Sequence, residues 1–269
     1  MFDSGLGGLT VLRALLERLP GQDFVFLGDS ANAPYGPRAA QEIHALTRAG
    51  VARLFAEGCG LVILACNTAS AVALRALQED WLPGVAPGRR VLGVFVPVIE
   101  TLTGRPWGYR GPPLPGRLRR IALFATPATV ASGAFRRETL LRASGVRVEQ
   151  EPCPGLVEAL EAHDMAAAEA VVRRRAARLL ARCPEPEAAV LGCTHYPIAA
   201  PAFRAALPQG IEILSQPDIV AASLADYLAR HPRFAGGAGH LRLLTSGEPA
   251  GLADAAARLI GRPAAFAPA

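Results

Sequence analysis

The stretch Leu61-Val62-Ile63-Leu64-Ala65-Cys66-Asn67-Thr68-Ala69-Ser70 constrains the fold more than any other. Four apolar residues running into small and polar ones read as a buried parallel strand that ends in a turn. Ala71 to Leu77 follows with helical spacing and good helix formers. A strand covered on both faces and followed at once by a helix is the unit of an α/β fold with a parallel sheet. Cys66 then lies at the carboxyl end of its strand, the edge where open α/β sheets bind ligands. A helix N-terminus there lowers a thiol pKa and offers N–H groups to an anion.

The segment Ala188-Ala189-Val190-Leu191-Gly192-Cys193-Thr194-His195-Tyr196-Pro197 has the same form, with Pro197 opening a helical run from Ile198 to Leu207. Either cysteine alone reads as a buried structural thiol. Two strand-end thiols in matching contexts read instead as a functional pair.

Composition narrows the classes. The 269 residues are 51% hydrophobic and 19% charged, a globular balance with room for two modest cores. The five cysteines (59, 66, 153, 183 and 193), an odd number without an export signal, point to free thiols in a reducing cytoplasm. No apolar run suits a membrane span. The net charge of +5 comes from scattered arginines, with small clusters at 117–120, 136–137 and 173–175. Without a nucleic-acid-binding motif these read as solvated faces, and no nucleic-acid partner is expected. Lysine is absent altogether. That disfavours a pyridoxal phosphate enzyme, which needs a lysine Schiff base, and a P-loop, which needs its lysine.

Along the chain, Phe2-Asp3-Ser4-Gly5-Leu6-Gly7-Gly8 precedes an amphipathic helix from Leu9 to Leu19; its plain reading is helix entry and capping. Asp23 to Leu27 is a strand leading into the Pro- and Gly-rich loop Gly28-Asp29-Ser30-Ala31-Asn32-Ala33-Pro34-Tyr35-Gly36-Pro37, which suits binding. A helix follows from Ala39 to Glu57, and Val91 to Val96 reads as a strand closed by Pro97. Thr103 to Arg117 is too rich in Gly and Pro for regular structure and reads as a surface insertion or linker. Ile121 to Phe124 restarts the strand pattern, with Thr126 in the position that Asp3 to Gly5 holds earlier. Val146 to Glu149 is a short strand, and Leu156 to Leu180 reads as one helix. The tail carries strands at Ile211 to Leu214 and Leu241 to Thr245, with helices at Ile219 to Leu228 and beyond Thr245. Two similar α/β domains are expected: residues 1–97 plus about 213–269, and about 98–212 with the insertion at 103–117.

Cys66 and Cys193 could bind metal or form a redox disulfide, but neither Cys-x-x-Cys nor a zinc-ligand spacing is present, and no metal is expected. They could also act as acid and base on opposite faces of one carbon, which is racemisation or epimerisation. A thiol hydrolase using Cys193 with His195 is disfavoured: side chains two apart on a loop need not meet, and the second thiol would be idle.

Four motifs together closely resemble the bacterial glutamate racemases: Phe-Asp-Ser-Gly-x-Gly-Gly at 2–8, Gly-Asp-x-x-x-x-Pro-Tyr-Gly at 28–36, Ala-Cys-Asn-Thr-Ala-Ser at 65–70 and Gly-Cys-Thr-His-Tyr-Pro at 192–197. The resemblance spans nearly the whole chain. It implies two pseudo-symmetric parallel-sheet α/β domains with the active site in the cleft between them. It also implies interconversion of L- and D-glutamate for peptidoglycan synthesis in the cytoplasm, with no cofactor and as a homodimer. Cys66 and Cys193 would be the acid/base thiols, assisted by Asp3, His195 and a glutamate after Cys153-Pro154, namely Glu161 with Glu158 as second choice. Substrate contacts would come from Asp3, Ser4, Tyr35, Gly36, Asn67, Thr68, Thr126, Thr194 and His195. The first strand is expected to be short, because the chain opens almost on its motif. His163 is expected at the surface. The alternatives are a racemase of another acidic amino acid such as aspartate, a superfamily isomerase with one nucleophilic cysteine, or a non-catalytic small-molecule-binding relative.

Overall fold

The computed structural model describes residues 1–269. In chain order its strands are β1 (Phe2–Asp3), β2 (Phe24–Gly28), β3 (Leu61–Leu64), β4 (Arg90–Gly93), β5 (Leu114–Pro115), β6 (Arg120–Ala125), β7 (Ala143–Ser144), β8 (Arg147–Pro152), β9 (Ala188–Gly192), β10 (Glu212–Leu214), β11 (Leu241–Thr245) and β12 (Phe266–Pro268). Chain contacts divide the molecule into two units, Met1–Val94 with Pro217–Ala269, and Phe95–Gln216.

The first unit holds a six-stranded sheet in the order β12-β11-β2-β1-β3-β4, every pairing parallel. The second holds the parallel sheet β10-β9-β6-β8 and a two-residue pair, β5 with β7. The α/β reading with parallel sheets therefore stands. The two units share one winding. From the central strand (β1 or β6) the chain goes to one neighbour (β2 or β8), then crosses to the other side (β3 or β9), and adds a strand beyond it (β4 or β10). That crossing creates a switch point at the carboxyl ends of β1/β3 and of β6/β9, where such sheets hold ligands. Asp3, Ser4 and Cys66 lie at the first of these ends, and Thr126 and Cys193 at the second.

Burial follows the sequence pattern. In β9 all five residues are buried, and in β6 all but Arg120. Helix Leu9–Arg18 turns Leu9, Val11, Leu12, Ala14 and Leu15 inward and packs against helix Pro217–Arg230. The tail joins the first unit because β11 pairs with β2 over Leu241 to Thr245. No helix is long and apolar enough to cross a membrane.

Several local expectations are corrected. The strand expected over Val91 to Val96 ends at Gly93, and helix Phe95–Thr103 follows with Pro97 in its first turn. Proline is tolerated there because the first helical N–H groups need no partner within the helix. The single helix expected over Leu156 to Leu180 is two, Leu156–Glu161 and Met165–Arg182. Between them exposed His163 adopts φ 57°, and the Asp164 carboxylate caps the second helix by accepting from the Ala167 N–H at 2.9 Å. The helix expected from Ala71 begins instead at Asn67, directly after Cys66, and stops at Val72. The 103–117 segment contributes β5 and wraps around Arg105. This buried guanidinium donates to the carbonyls of Tyr109, Gly111, Pro112 and Arg142 at 2.8–3.1 Å. Not all the clustered arginines are solvated either: Arg175 turns inward to the buried Glu151 carboxylate at 3.3 Å.

Gly50 shows how tightly β1 is seated. It faces the Phe2 ring from helix Ala40–Ala56, and an added Cβ would collide with that ring. A glycine-to-alanine change favours a bare helix by roughly 1 kcal/mol. Here Gly50→Ala is expected to destabilise by about 1–3 kcal/mol through overpacking. Urea unfolding reads the sign, and a stabilised variant would contradict this packing.

Candidate active site

The first unit builds one thiol environment. Phe2 pairs with Leu27 on one side and Leu64 on the other, so β1 delivers Asp3 and Ser4 next to the end of β3. Cys66 is the N-cap of helix Asn67–Val72, and its sulfur accepts from the Ala69 N–H at 3.4 Å and the Ser4 hydroxyl at 3.3 Å. Both donors favour the thiolate. Asp3 is fully buried, and its Oδ2 accepts from the Gly5 N–H at 3.0 Å. Gly8 is required beside it: a Cβ there would lie 2.7 Å from the Asp3 Cβ and 3.0 Å from that of Ala65. Asn67 and Thr68 open the helix, both buried.

The loop after β2 brings Tyr35 and Gly36, also buried, into the same unit. The Tyr35 hydroxyl donates to Asp29 Oδ2 at 2.6 Å. Burial first, and then the Asp29 carboxylate, push this phenol well above its ordinary pKa, so it stays protonated. Asp29 stands in the second motif, yet sequence reasoning gave it no role. The signal available was a carboxylate directly after a strand-end glycine, and that also describes an ordinary loop residue.

The second unit builds a different environment. Cys193 follows β9 and is buried. Its sulfur lies 3.9 Å from His195 Nδ1, within reach of a sulfur hydrogen bond. His195 Nε2 in turn lies 3.2 Å from Glu161 Oε1. The objection that side chains two apart need not meet therefore fails for Cys193 and His195. Of the two glutamates considered, Glu161, the last residue of helix Leu156–Glu161, makes this contact. Burial pulls the His195 pKa down, but the Cys193 sulfur and then Glu161 outweigh it and push it up to about 10. His195 is thus an imidazolium at neutral pH, with its Nδ1 turned to the Cys193 sulfur. Thr194 is buried beside it. Thr126 caps helix Pro127–Ala131, accepting from the Thr129 N–H at 3.3 Å. A third thiol, Cys153, lies in the same core cluster as Cys193. Burial, reinforced by Glu151, raises its pKa to about 12, which keeps it an inert thiol at neutral pH. No group of three or more His, Cys, Asp or Glu side chains is arranged to hold a metal ion.

A model of the Asp/Glu/Hydantoin racemases matches residues 7–224. The chain belongs to this family. It is an isomerase of the racemase type, 54% identical over 266 residues to the glutamate racemase of Paracoccus denitrificans, with 99% of this chain and 97% of that relative covered. Among solved structures, the glutamate racemase RacE1 of Bacillus anthracis superposes with a TM-score of 0.84 at 25% identity, covering 100% of this chain and 95% of that one. The glutamate racemase of Thermus thermophilus, crystallised with beta-chloro-D-alanine, gives 0.79 at 30% identity over 100% and 94%. The family match begins after Asp3 and Ser4 and ends before β11.

The electrostatics of the second unit give a direct test. Followed by NMR, His195 should hold its proton until about pH 10. Both Cys193→Ser and Glu161→Gln should lower that midpoint, and the cysteine change should lower it more, because the sulfur is the larger pull and Glu161 is 42% exposed and screened by water. Titration of the unmodified protein's His195 at an ordinary histidine value would contradict the assignment.

Proposed function

We propose that this chain is a glutamate racemase in which Cys66 and Cys193 act as acid and base on opposite faces of the substrate's α-carbon. The observation that carries the mechanism is that each unit ends a buried strand in a thiol with its own proton-managing partners: Ser4 and the Ala69 N–H at Cys66, and His195 with Glu161 at Cys193. The substrate reading rests on relatives such as the Paracoccus enzyme.

In the reaction, the thiolate on one face takes the α-proton and becomes a thiol. The thiol on the other face gives its proton to the carbanion and becomes a thiolate. One C–H bond breaks and one forms, no electrons leave or enter, and the protein is left with its charge moved from one sulfur to the other. Proton exchange with water resets it. Asp3 and His195 help set thiol protonation, and Glu161 keeps His195 charged. Ser4, Tyr35, Gly36, Asn67, Thr68, Thr126 and Thr194 contact the substrate, whose charged ends suit hydroxyl and amide donors better than apolar walls. A chain without lysine cannot hold pyridoxal phosphate through a lysine Schiff base, which agrees with proton transfer by the thiols. On the same reading the enzyme works in the cytoplasm as a homodimer, and its D-glutamate feeds peptidoglycan synthesis.

Circular dichroism tests the reading. L- and D-glutamate should each lose optical rotation without added cofactor. Cys66→Ser and Cys193→Ser should each slow this by about 10²–10⁴-fold, the usual worth of a general acid or base. Aspartate, one methylene shorter, should turn over roughly 10–200-fold less efficiently. Near-normal racemisation by either cysteine variant would rule out the two-thiol scheme, and preference for aspartate would change the substrate.

A further inference from the structure

Asp29 lies at the centre of a hydrogen-bond cluster that the reaction scheme does not use. Its side chain is almost fully buried. Oδ2 accepts from the Tyr35 hydroxyl at 2.6 Å and from Asn32 Nδ2 at 3.2 Å; Oδ1 accepts from Asn32 Nδ2 at 2.9 Å and from the Ser246 hydroxyl at 2.5 Å. A carboxylate with both oxygens occupied in this way is satisfied without water. Its own N–H donates to the Asp3 carbonyl at 2.9 Å, one residue before the serine that reaches Cys66. Ser246 directly follows β11, in the tail and beyond the segment that matches the family. Two further contacts tie the same loop to the tail: Ser30 Oγ to Thr245 Oγ1 at 2.5 Å, and the Ala31 N–H to Ser246 Oγ at 3.2 Å.

We propose that Asp29 is a positioning residue which, with Ser246, fastens the 28–36 loop to the end of β11 and so sets the affinity for substrate without taking part in proton transfer. This rests on the reading above that Tyr35 and Gly36 meet the substrate. Charge-assisted bonds from two hydroxyls and an amide fix the loop in one conformation before substrate arrives. Loosening them makes substrate binding bear the cost of ordering the loop, which appears in KM. Asp29 makes no contact with either sulfur, so a bound substrate still reacts at its ordinary rate.

Steady-state kinetics on the full chain test this. Ser246→Ala should raise KM for glutamate about three- to tenfold, the net worth of one ordinary hydrogen bond, with kcat and melting temperature nearly unchanged. Ser246→Thr, which keeps the hydroxyl, should restore KM. Tyr35→Phe should also raise KM, and the double variant with Ser246→Ala should fall short of the product of the two effects, since both bonds brace one loop. An unchanged KM in Ser246→Ala, a fall in kcat instead, a failure of threonine to rescue, or fully independent effects would each overturn the proposal. Failure of the underlying reading shows elsewhere, as NMR signals of Tyr35 and Gly36 that do not move when glutamate saturates the unmodified protein.

Discussion

The pairing of a two-residue strand organises the first unit's share of the candidate site. Phe2 and Asp3 are flanked by β2 and β3, with registers Phe2 to Leu27, Asp3 to Gly28 and Phe2 to Leu64. Because side chains alternate along a strand, a slip of one residue would reverse them. Phe2 would then leave its place against Gly50, and Asp3 would leave the buried space beside Gly8 and Ala65. The register also sets the residues just past the strand ends: Ser4 beside Cys66, and Asp29 hydrogen-bonded to the Asp3 backbone. Few residues are involved, but they are buried on both sides, and a central parallel strand has no free edge along which to slide.

The two thiols are managed by different means. At Cys66 the partners include a hydroxyl and a backbone N–H at the start of a helix. At Cys193 the partner is a histidine kept cationic by the sulfur and by Glu161. One sulfur thus faces a hydroxyl and a peptide dipole, the other a full positive charge. Cys153 shows the contrast: buried near a carboxylate, it stays a neutral thiol.

Much of this was legible from residue order. An apolar run ending in Ala-Cys-Asn-Thr has one ready interpretation in an α/β chain, and the same run ending in Gly-Cys-Thr-His repeats it. Less legible was whatever depends on which side chain fills a vacant valence. Asp29 looks like a loop residue until Ser246, more than two hundred positions later, is seen to donate to it. The break after Glu161 carries neither glycine nor proline; only the Asp164 cap marks it, and the sequence offers many such aspartates. Apolar Phe95-Val96-Pro97-Val98 suits a strand or a helix equally, and burial alone cannot separate them. β12, made of Phe-Ala-Pro, has poor strand propensity and exists because β11 offers an edge.

The central claim is that one sulfur serves each face of the α-carbon. Exchange of the α-proton with deuterated water tests it most directly, measured separately on L- and D-glutamate with Cys66→Ser and with Cys193→Ser. A lone remaining thiol can remove a proton from one face and return a deuteron to that same face, exchanging without inversion. Each variant should therefore label one enantiomer only, and the two variants should label opposite ones. Exchange of both enantiomers by either variant, or of the same enantiomer by both, would contradict the account.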